Sequence, residues 1–338
     1  MKSLLWFLVL ASLSFANIAM PGFWNTGTGR TFVHFFKEDA VHRGSVLMQE
    51  EDITIALYKD FAVVRGVYIM KNTTPDTIML RTGFPVSGYA KNSLSRQIIF
   101  EDLYALTVSV NGSAAEVLKL EEYINKYAAD IPPETASADS VYHGIYSDQG
   151  NWYVWESLFP PGESVITVYY LTDNSFGGIR EGYNREKANL FSYILETGST
   201  WGGTIGKGTV TLYLMDGLTG DDIQGIIPAE EFAWNGKNIL QRRFENLNPD
   251  SKDNLLIRYT PSEAGFDIKT TLPRSGEYFA IAESLAVLKT AVEEGKTLPQ
   301  GDFEPGSGML KFGLQLLGYI GGGALLFFGL KYLFRRKS

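Results

Sequence analysis

From residue 45 the chain alternates. Ser45 to Tyr58 and Phe61 to Met70 carry apolar, β-branched and aromatic residues at every second position, separated only by Lys59-Asp60, which predicts a half-buried hairpin. Ile53, Ile55 and Leu57 share one face of the first strand, and Val63, Val67 and Ile69 are expected against them across the hairpin. Thr77 to Leu80 reads as a strand running into Phe84-Pro85. Leu103 to Val110 alternates up to Asn111-Gly112, two residues that accept positive φ and so mark a tight hairpin. After it, Val117, Leu120, Ile124 and Tyr127 fall at helical spacing until Ile131-Pro132-Pro133 stops the run.

Strands then resume. Trp152 to Phe159 and Val165 to Leu171 read as two strands around Pro160-Pro161-Gly162. Leu190 to Leu195 and Thr209 to Leu214 read as a pair around the glycine-rich stretch from Gly198 to Gly208, and Ile239 to Phe244 and Leu255 to Tyr259 as a last pair around Asn248-Pro249-Asp250. Short strands, Gly and Pro turns and one small inserted helix predict a mainly β ectodomain built as an antiparallel β-sandwich, one or two in number. A composition break near Thr172 to Lys187 divides a first β-sandwich domain, 20–175, from a second β-rich subdomain, 185–262. Further on, Ile281, Leu285, Leu288 and Val292 predict an amphipathic helix over 277–294 on a heptad-like seam. Gly295 ends it, and a flexible tether follows over 295–310.

Two apolar runs set the topology. Phe312 to Leu330 is nineteen residues with no ionisable side chain but the Tyr319 phenol, and as a helix it spans roughly 29 Å, the thickness of a bilayer's hydrocarbon core. Lys331, Arg335, Arg336 and Lys337 follow it while Lys311 stands alone before it, so the positive-inside rule predicts a transmembrane helix over 311–331 and a cytoplasmic tail over 332–338. At the other end Lys2 precedes an apolar core, Leu4 to Leu13, too short to span, which predicts a signal peptide. Two cuts fit, after Ala16 with Ser14 at the minus-three position or after Ala19, and the first is preferred, giving a leader of 1–16.

Charge and cysteine content refine this picture. Six of the 30 Lys and Arg (Lys2, Lys311, Lys331, Arg335, Arg336, Lys337) belong to the two membrane segments, leaving 24 against 38 acidic residues, a charge of about −14 on the exported part. That argues against nucleic acid as a partner and leaves cations, neutral glycans and proteins open. With no cysteine, a chain of this size relies on its apolar core, which favours a prokaryotic envelope protein, in the periplasm or at the cell surface. Asn72 and Asn111 are then chance matches to a glycosylation tripeptide.

Three blocks carry a resemblance. Phe159-Pro160-Pro161-Gly162-Glu163 leads into Val165 to Tyr170; Tyr193-Ile194-Leu195-Glu196-Thr197-Gly198 is followed by Trp201 and Ile205-Gly206; and Phe244-Glu245-Asn246-Leu247-Asn248-Pro249 precedes Leu255 to Tyr259. With the Glu51 to Asn72 hairpin they resemble an uncharacterised bacterial family of exported β-rich proteins, domain of unknown function 4424, over roughly Gly44 to Tyr259. The resemblance implies an exported β fold and brings no catalytic residue; the C-terminal span is an addition to it.

No cofactor, metal or catalytic group is predicted. Gly203 to Thr209 mimics a phosphate loop but has Trp201 where the first glycine belongs, Gly208 after Lys207 and a strand where a helix should start. Ser199, in Gly198-Ser199-Thr200-Trp201-Gly202, stands in the wrong place for a nucleophile elbow. His34, His42 and His143 lack metal spacing. Asp250, Asp253 and Asn254 lack the glycine and final glutamate of a calcium loop and read as solvated turn residues. Adjacent carboxylates such as Glu50-Glu51-Asp52 point to opposite strand faces, so adjacency makes no acid-base pair. Trp152 and Trp155 also face opposite ways and read, with Trp234, as core. Trp201 is the candidate ligand-binding residue, in a glycine-rich loop where nothing obvious buries it. Gly318 and Gly322 form a Gly-xxx-Gly face in the span, a candidate helix interface. Leu298-Pro299-Gln300-Gly301 resembles a transpeptidase sorting signal without its threonine, so retention in the membrane is expected. The reading is a single-pass membrane protein with a binding or structural role in the envelope and a protein partner there. The alternatives are a membrane-tethered hydrolase of envelope glycans and an accessory subunit of a transporter or sensor.

Overall fold

The structure, a computed structural model, describes residues 17–25, 31–86, 97–99, 102–127, 152–175, 178–181, 184–187, 189–250, 252–259, 265–288, 292 and 298–299. The expected leader 1–16, the span 311–331 with Gly318 and Gly322, the tail 332–338 and His143 lie outside the described residues. Among the described residues no helix is long and apolar enough to cross a membrane.

The fold is mainly β, with antiparallel and mixed sheets. Its strands begin with β1 (Gly22–Asn25), β2 (Thr31–His34), β3 (Val46–Leu57), β4 (Phe61–Asn72), β5 (Ile78–Pro85) and β6 (Gln97–Ile99). Next come β7 (Leu103–Val110), β8 (Ser113–Ala114), β9 (Leu118–Lys119), β10 (Trp152–Phe159), β11 (Gly162–Asp173), β12 (Gly178–Glu181) and β13 (Asn184–Lys187). The last are β14 (Asn189–Tyr193), β15 (Ile205–Leu214), β16 (Ile223–Ile227), β17 (Ala233–Trp234), β18 (Ile239–Leu247) and β19 (Leu255–Tyr259). Helices are α1 (Lys37–Ala40), α2 (Leu120–Tyr127) and α3 (Ser275–Val287).

One eight-stranded sheet, ordered β17-β18-β15-β3-β4-β11-β7-β8, draws on both halves of the chain. All its pairs are antiparallel except β15 with β3. The segments 20–175 and 185–262 therefore share a sheet. Its inner face packs on two three-stranded sheets, β5-β10-β9 and β14-β19-β16, through one core that includes Ile53, Ile55, Val64, Val168, Leu212, Leu80, Trp155, Phe191 and Ile257.

The β3–β4 hairpin forms as the alternation predicts, but its faces differ from the expectation. A two-residue turn pairs odd positions with even ones, so Leu57 lies opposite Ala62 and Ile55 opposite Val64. Val63, and with it the parity of Val67 and Ile69, belongs to the outer face, where Val63 packs with Ala56, Phe61 and Leu171.

Three expected hairpins are corners instead. β10 pairs with β5 and β9 while β11 pairs with β4 and β7. β14 joins β19 while β15 joins β18 and β3; β18 stays in the large sheet while β19 crosses to the small one. Alternation marks a strand with one buried face, and a chain that changes layers keeps that pattern.

Helix α3 begins two residues before the expected 277 and ends at Val287. Leu288 and Val292, also inside the expected helix, are not helical, and residues 289–291 and 293–297 lie outside the described residues. The seam does not govern its packing: Ile281 and Leu288 are exposed, while Tyr278, Phe279, Ala282 and Leu285 lie on the outer face of the large sheet. The aromatic pair Tyr58 and Phe61 offers Tyr278 edge-on contacts at 5.5 and 5.2 Å between ring centres, which selects that face. Arg65 and Tyr169 meet Glu283 at 2.5 and 2.6 Å, fastening the helix. Inside the expected tether Leu298 is buried in the main core, and the Pro299 carbonyl accepts from the Ile226 amide at 3.1 Å. At that point the segment is part of the body.

Candidate functional site: a groove backed by a buried carboxylate

The half of the outer face away from α3 is built around an irregularity in β3. The register shifts between Met48 and Glu50, leaving Gln49 as the extra residue of a bulge. β15 runs alongside, and a Cβ on Gly206 would stand 2.6 Å from the Gln49 carbonyl oxygen, so only glycine lets the strands approach here. Gln49, Glu50, Ile69, Glu163, Gly206, Lys207 and Glu245 line a groove of about 500 Å³. Lys207 Nζ pairs with Glu50 at 2.9 Å. Three carboxylates against one ammonium leave the groove net acidic, suited to cationic side chains at a solvated surface.

The other side of β3 carries the opposite chemistry. Glu51 has the parity of Ile53 and points inward, 1% exposed. Its carboxylate accepts from the Tyr193 hydroxyl at 2.8 Å and from the Asn17 side-chain amide at 2.9 Å. The Tyr193 and Tyr68 hydroxyls are 2.9 Å apart, and the buried Tyr170 hydroxyl has no hydrogen-bond partner among the described residues. Burial pushes the Glu51 carboxyl up to about 7, against the pull of Tyr193, Asn17 and Arg242, and burial also raises Tyr68, Tyr170 and Tyr193 well above the usual phenol range. A charge here is costly unless paired.

Asn17 belongs to a strap, residues 17–20, laid between the two small sheets. Its amide donates to the Ile194 carbonyl at 2.7 Å, and Ala19 exchanges both backbone bonds with Gly83 at 3.0 and 2.9 Å. Trp201, the expected ligand-binding residue, holds the middle: its indole N–H donates to the Ile18 carbonyl at 3.0 Å, and its ring meets Phe159 edge-on. It is 1% exposed, so the glycine-rich loop does not leave it open; its 3-10 turn, Glu196–Trp201, folds it under the strap.

Other sequence candidates resolve individually. Trp152 and Trp155 are both buried, in separate clusters on opposite faces of β10. Lys207 lies in β15 against Glu50. Asp253 and Asn254 are not solvated turn residues: Asp253 binds the buried Arg242 at 2.7 Å, and the Asn254 side-chain oxygen accepts from the Leu195 and Glu196 amides at 3.0 Å each. Glu231 is the second carboxylate on Arg242. Among the described residues no group of three His, Cys, Asp or Glu side chains converges as a metal site. Sequence reasoning weighed Glu51 only as one of three adjacent carboxylates and gave no role to Asn17, Tyr193 or Arg242; the signal for Glu51 was its position in step with Ile53, Ile55 and Leu57.

No family model matches the chain, and no curated protein matches it. Among solved structures it is similar to a proposed nutrient binding protein from Legionella pneumophila, with 13% identity, a TM-score of 0.42, and coverage of 72% of this chain and 70% of that one. It is also similar to a variant of the M1 zinc metallopeptidase from Deinococcus radiodurans, with 12% identity and a TM-score of 0.28 over 64% of this chain and 42% of that one.

Proposed function

We propose that the chain is a single-pass, membrane-anchored protein of the cell envelope whose β body stands outside the cytoplasm and binds or braces a second envelope protein. The observation that carries this reading is the anchoring of Leu298 and Pro299 in the body. Only residues 300 to 311 separate that anchor from the apolar run, and twelve residues reach at most about 40 Å even when extended. The body is thus kept beside the membrane, its acidic groove within range of another membrane protein. The apolar core of the leader, the basic residues after the span and the resemblance to an exported β-rich family support the same placement. The four tryptophans whose side chains are described, Trp152, Trp155, Trp201 and Trp234, are all buried and so are not offered to stack on a sugar ring, which favours a protein partner over a glycan.

Gentle detergent extraction of native membranes after cross-linking tests the reading. A defined protein should co-purify with the wild type and be lost on joint Glu163→Lys and Glu245→Lys substitution. A lone monomer in the wild type would sink the proposal. Protease added to intact spheroplasts should cut the β body, and a protected body would refute the topology.

A further inference from the structure

The strap lies deep in the body. Asn17, Ile18 and Ala19 are 0% exposed and Met20 is 1% exposed, as deep as any strand of the core. Asn17 and Ala19 hydrogen-bond on opposite sides, to Ile194 and to Gly83, so the tetrapeptide closes the gap between the two small sheets. Three side chains from the 3-10 turn hold it as well: Thr197 donates to the Asn17 carbonyl at 3.2 Å, Trp201 donates to Ile18, and Thr200 accepts from the Met20 amide at 3.2 Å. Of the two cuts the sequence allows, the one after Ala19 would remove all these contacts except that of Met20. It would also strip the amide from Glu51.

We propose that the leader is cut between Ala16 and Asn17, and that the α-ammonium this creates works inside the fold as the counter-charge of the buried Glu51 carboxylate. The inference rests on the export reading above and goes further than it. A backbone amide at Asn17 has one N–H, already given to Ile194 at 2.7 Å. An ammonium brings two more, and the Asn17 side-chain oxygen, on the same residue, is a buried acceptor with no donor among the described residues. Around Glu51 the large sheet contributes Tyr68 from β4, Tyr170 from β11 and Arg242 from β18, and the facing sheet contributes Tyr193 from β14. The phenols are neutral, and the Arg242 guanidinium is already engaged by Asp253 and Glu231. Among the described residues the carboxylate thus has donors but lacks a dedicated cation. Cleavage supplies one on the residue that already holds it. A chain that keeps its leader has an amide in place of the ammonium, and Glu51 then goes without that charge.

Intact mass and N-terminal sequencing of the protein from native membranes test the cut. Asn17 as first residue supports the proposal. Met20 as first residue or a retained Met1 overturns it, and neither decides export, which the protease accessibility of the β body reports separately. The charge is tested on the full processed chain in detergent, by acylating its α-amine near neutral pH. The folded chain should react at least about tenfold more slowly than the same chain in urea, because only opening exposes the amine; equal rates refute burial. Inserting one glycine before Asn17 displaces the charge, and should lower the melting temperature in the wild type but much less in Glu51→Gln. Equal losses in both overturn the role as counter-charge. If Glu51→Gln does not fold, pH decides: between pH 4.5 and 7.5 the melting temperature of the processed chain should fall less than that of the glycine-extended chain, and equal falls overturn the role.

Discussion

Trp201 offers a sharp test of whether the strap is part of the fold's foundation. Trp201→Phe keeps an aromatic ring against Phe159 but deletes the N–H that reaches the Ile18 carbonyl at 3.0 Å. Ile18 is 0% exposed, so water cannot replace the donor, and a stranded acceptor costs about 1–3 kcal/mol. Trp201→Ala also empties a site occupied by one of the largest fully buried side chains, and such truncations cost about 3–5 kcal/mol. Against a typical stability of about 5–15 kcal/mol, the second variant should be marginal and the first clearly weakened. Urea unfolding followed by circular dichroism measures both, and hydrogen exchange locates the damage: the Ala19 and Met20 amides, which bond Gly83 and Thr200, should exchange faster in each variant. Losses below about 0.5 kcal/mol in both, as for an ordinary surface change, would refute the reasoning.

Two further outcomes follow from the same structure. In a chain extended ahead of Asn17, Glu51 sits near 7 when folded and near its ordinary 4.5 when unfolded, so its contribution is fully present below the lower value and is lost as pH rises through the higher one. About 3 kcal/mol should disappear across that window. Glu51→Gln should flatten the melting temperature between pH 4.5 and 7.5; an unchanged slope would disprove the assignment. Glu283→Ala should loosen α3, because Arg65, 13% exposed, loses its carboxylate. The half-exposed glutamate limits the cost to about 1–2 kcal/mol. The α3 amides should exchange faster while those of β4 do not, and unaltered exchange in α3 would count against the clamp.

Local structure was largely legible in the sequence, and the layering was not. The hairpin at Lys59-Asp60 and the Asn111-Gly112 turn with φ of 50° and 82° formed where spacing and turn chemistry placed them, and α2 formed over the later part of its expected run, with Val117 ahead of it and Leu118–Lys119 in β9. The corners at Pro160-Pro161-Gly162 and Asn248-Pro249-Asp250 carry equally good turn residues, yet lead into different sheets. A turn dipeptide describes only the local backbone; which sheet receives the next strand depends on partners more than a hundred residues away, such as β3 for β15. Trp201 shows the same limit. Nothing within its own loop buries it, because the cover comes from residues 17–20, about 180 positions upstream. Glu51 was the reverse case: a charge in step with the apolar positions of its strand was visible, but its partners Asn17 and Tyr193 were not.

The single parallel pairing in the large sheet has a kinetic consequence. β3 and β4 join through the two-residue turn at Lys59-Asp60, and β11 reaches β4 from some 90 to 110 residues on, whereas β15 must find the open edge of β3 from some 150 residues downstream. Closing so long a loop is slow. Until it closes, β3 presents an unprotected edge, and the extended segment ahead of it waits for its own partners near Ile194. That interval is when aggregation competes with folding. A chaperone acting there would gain most by shielding β3.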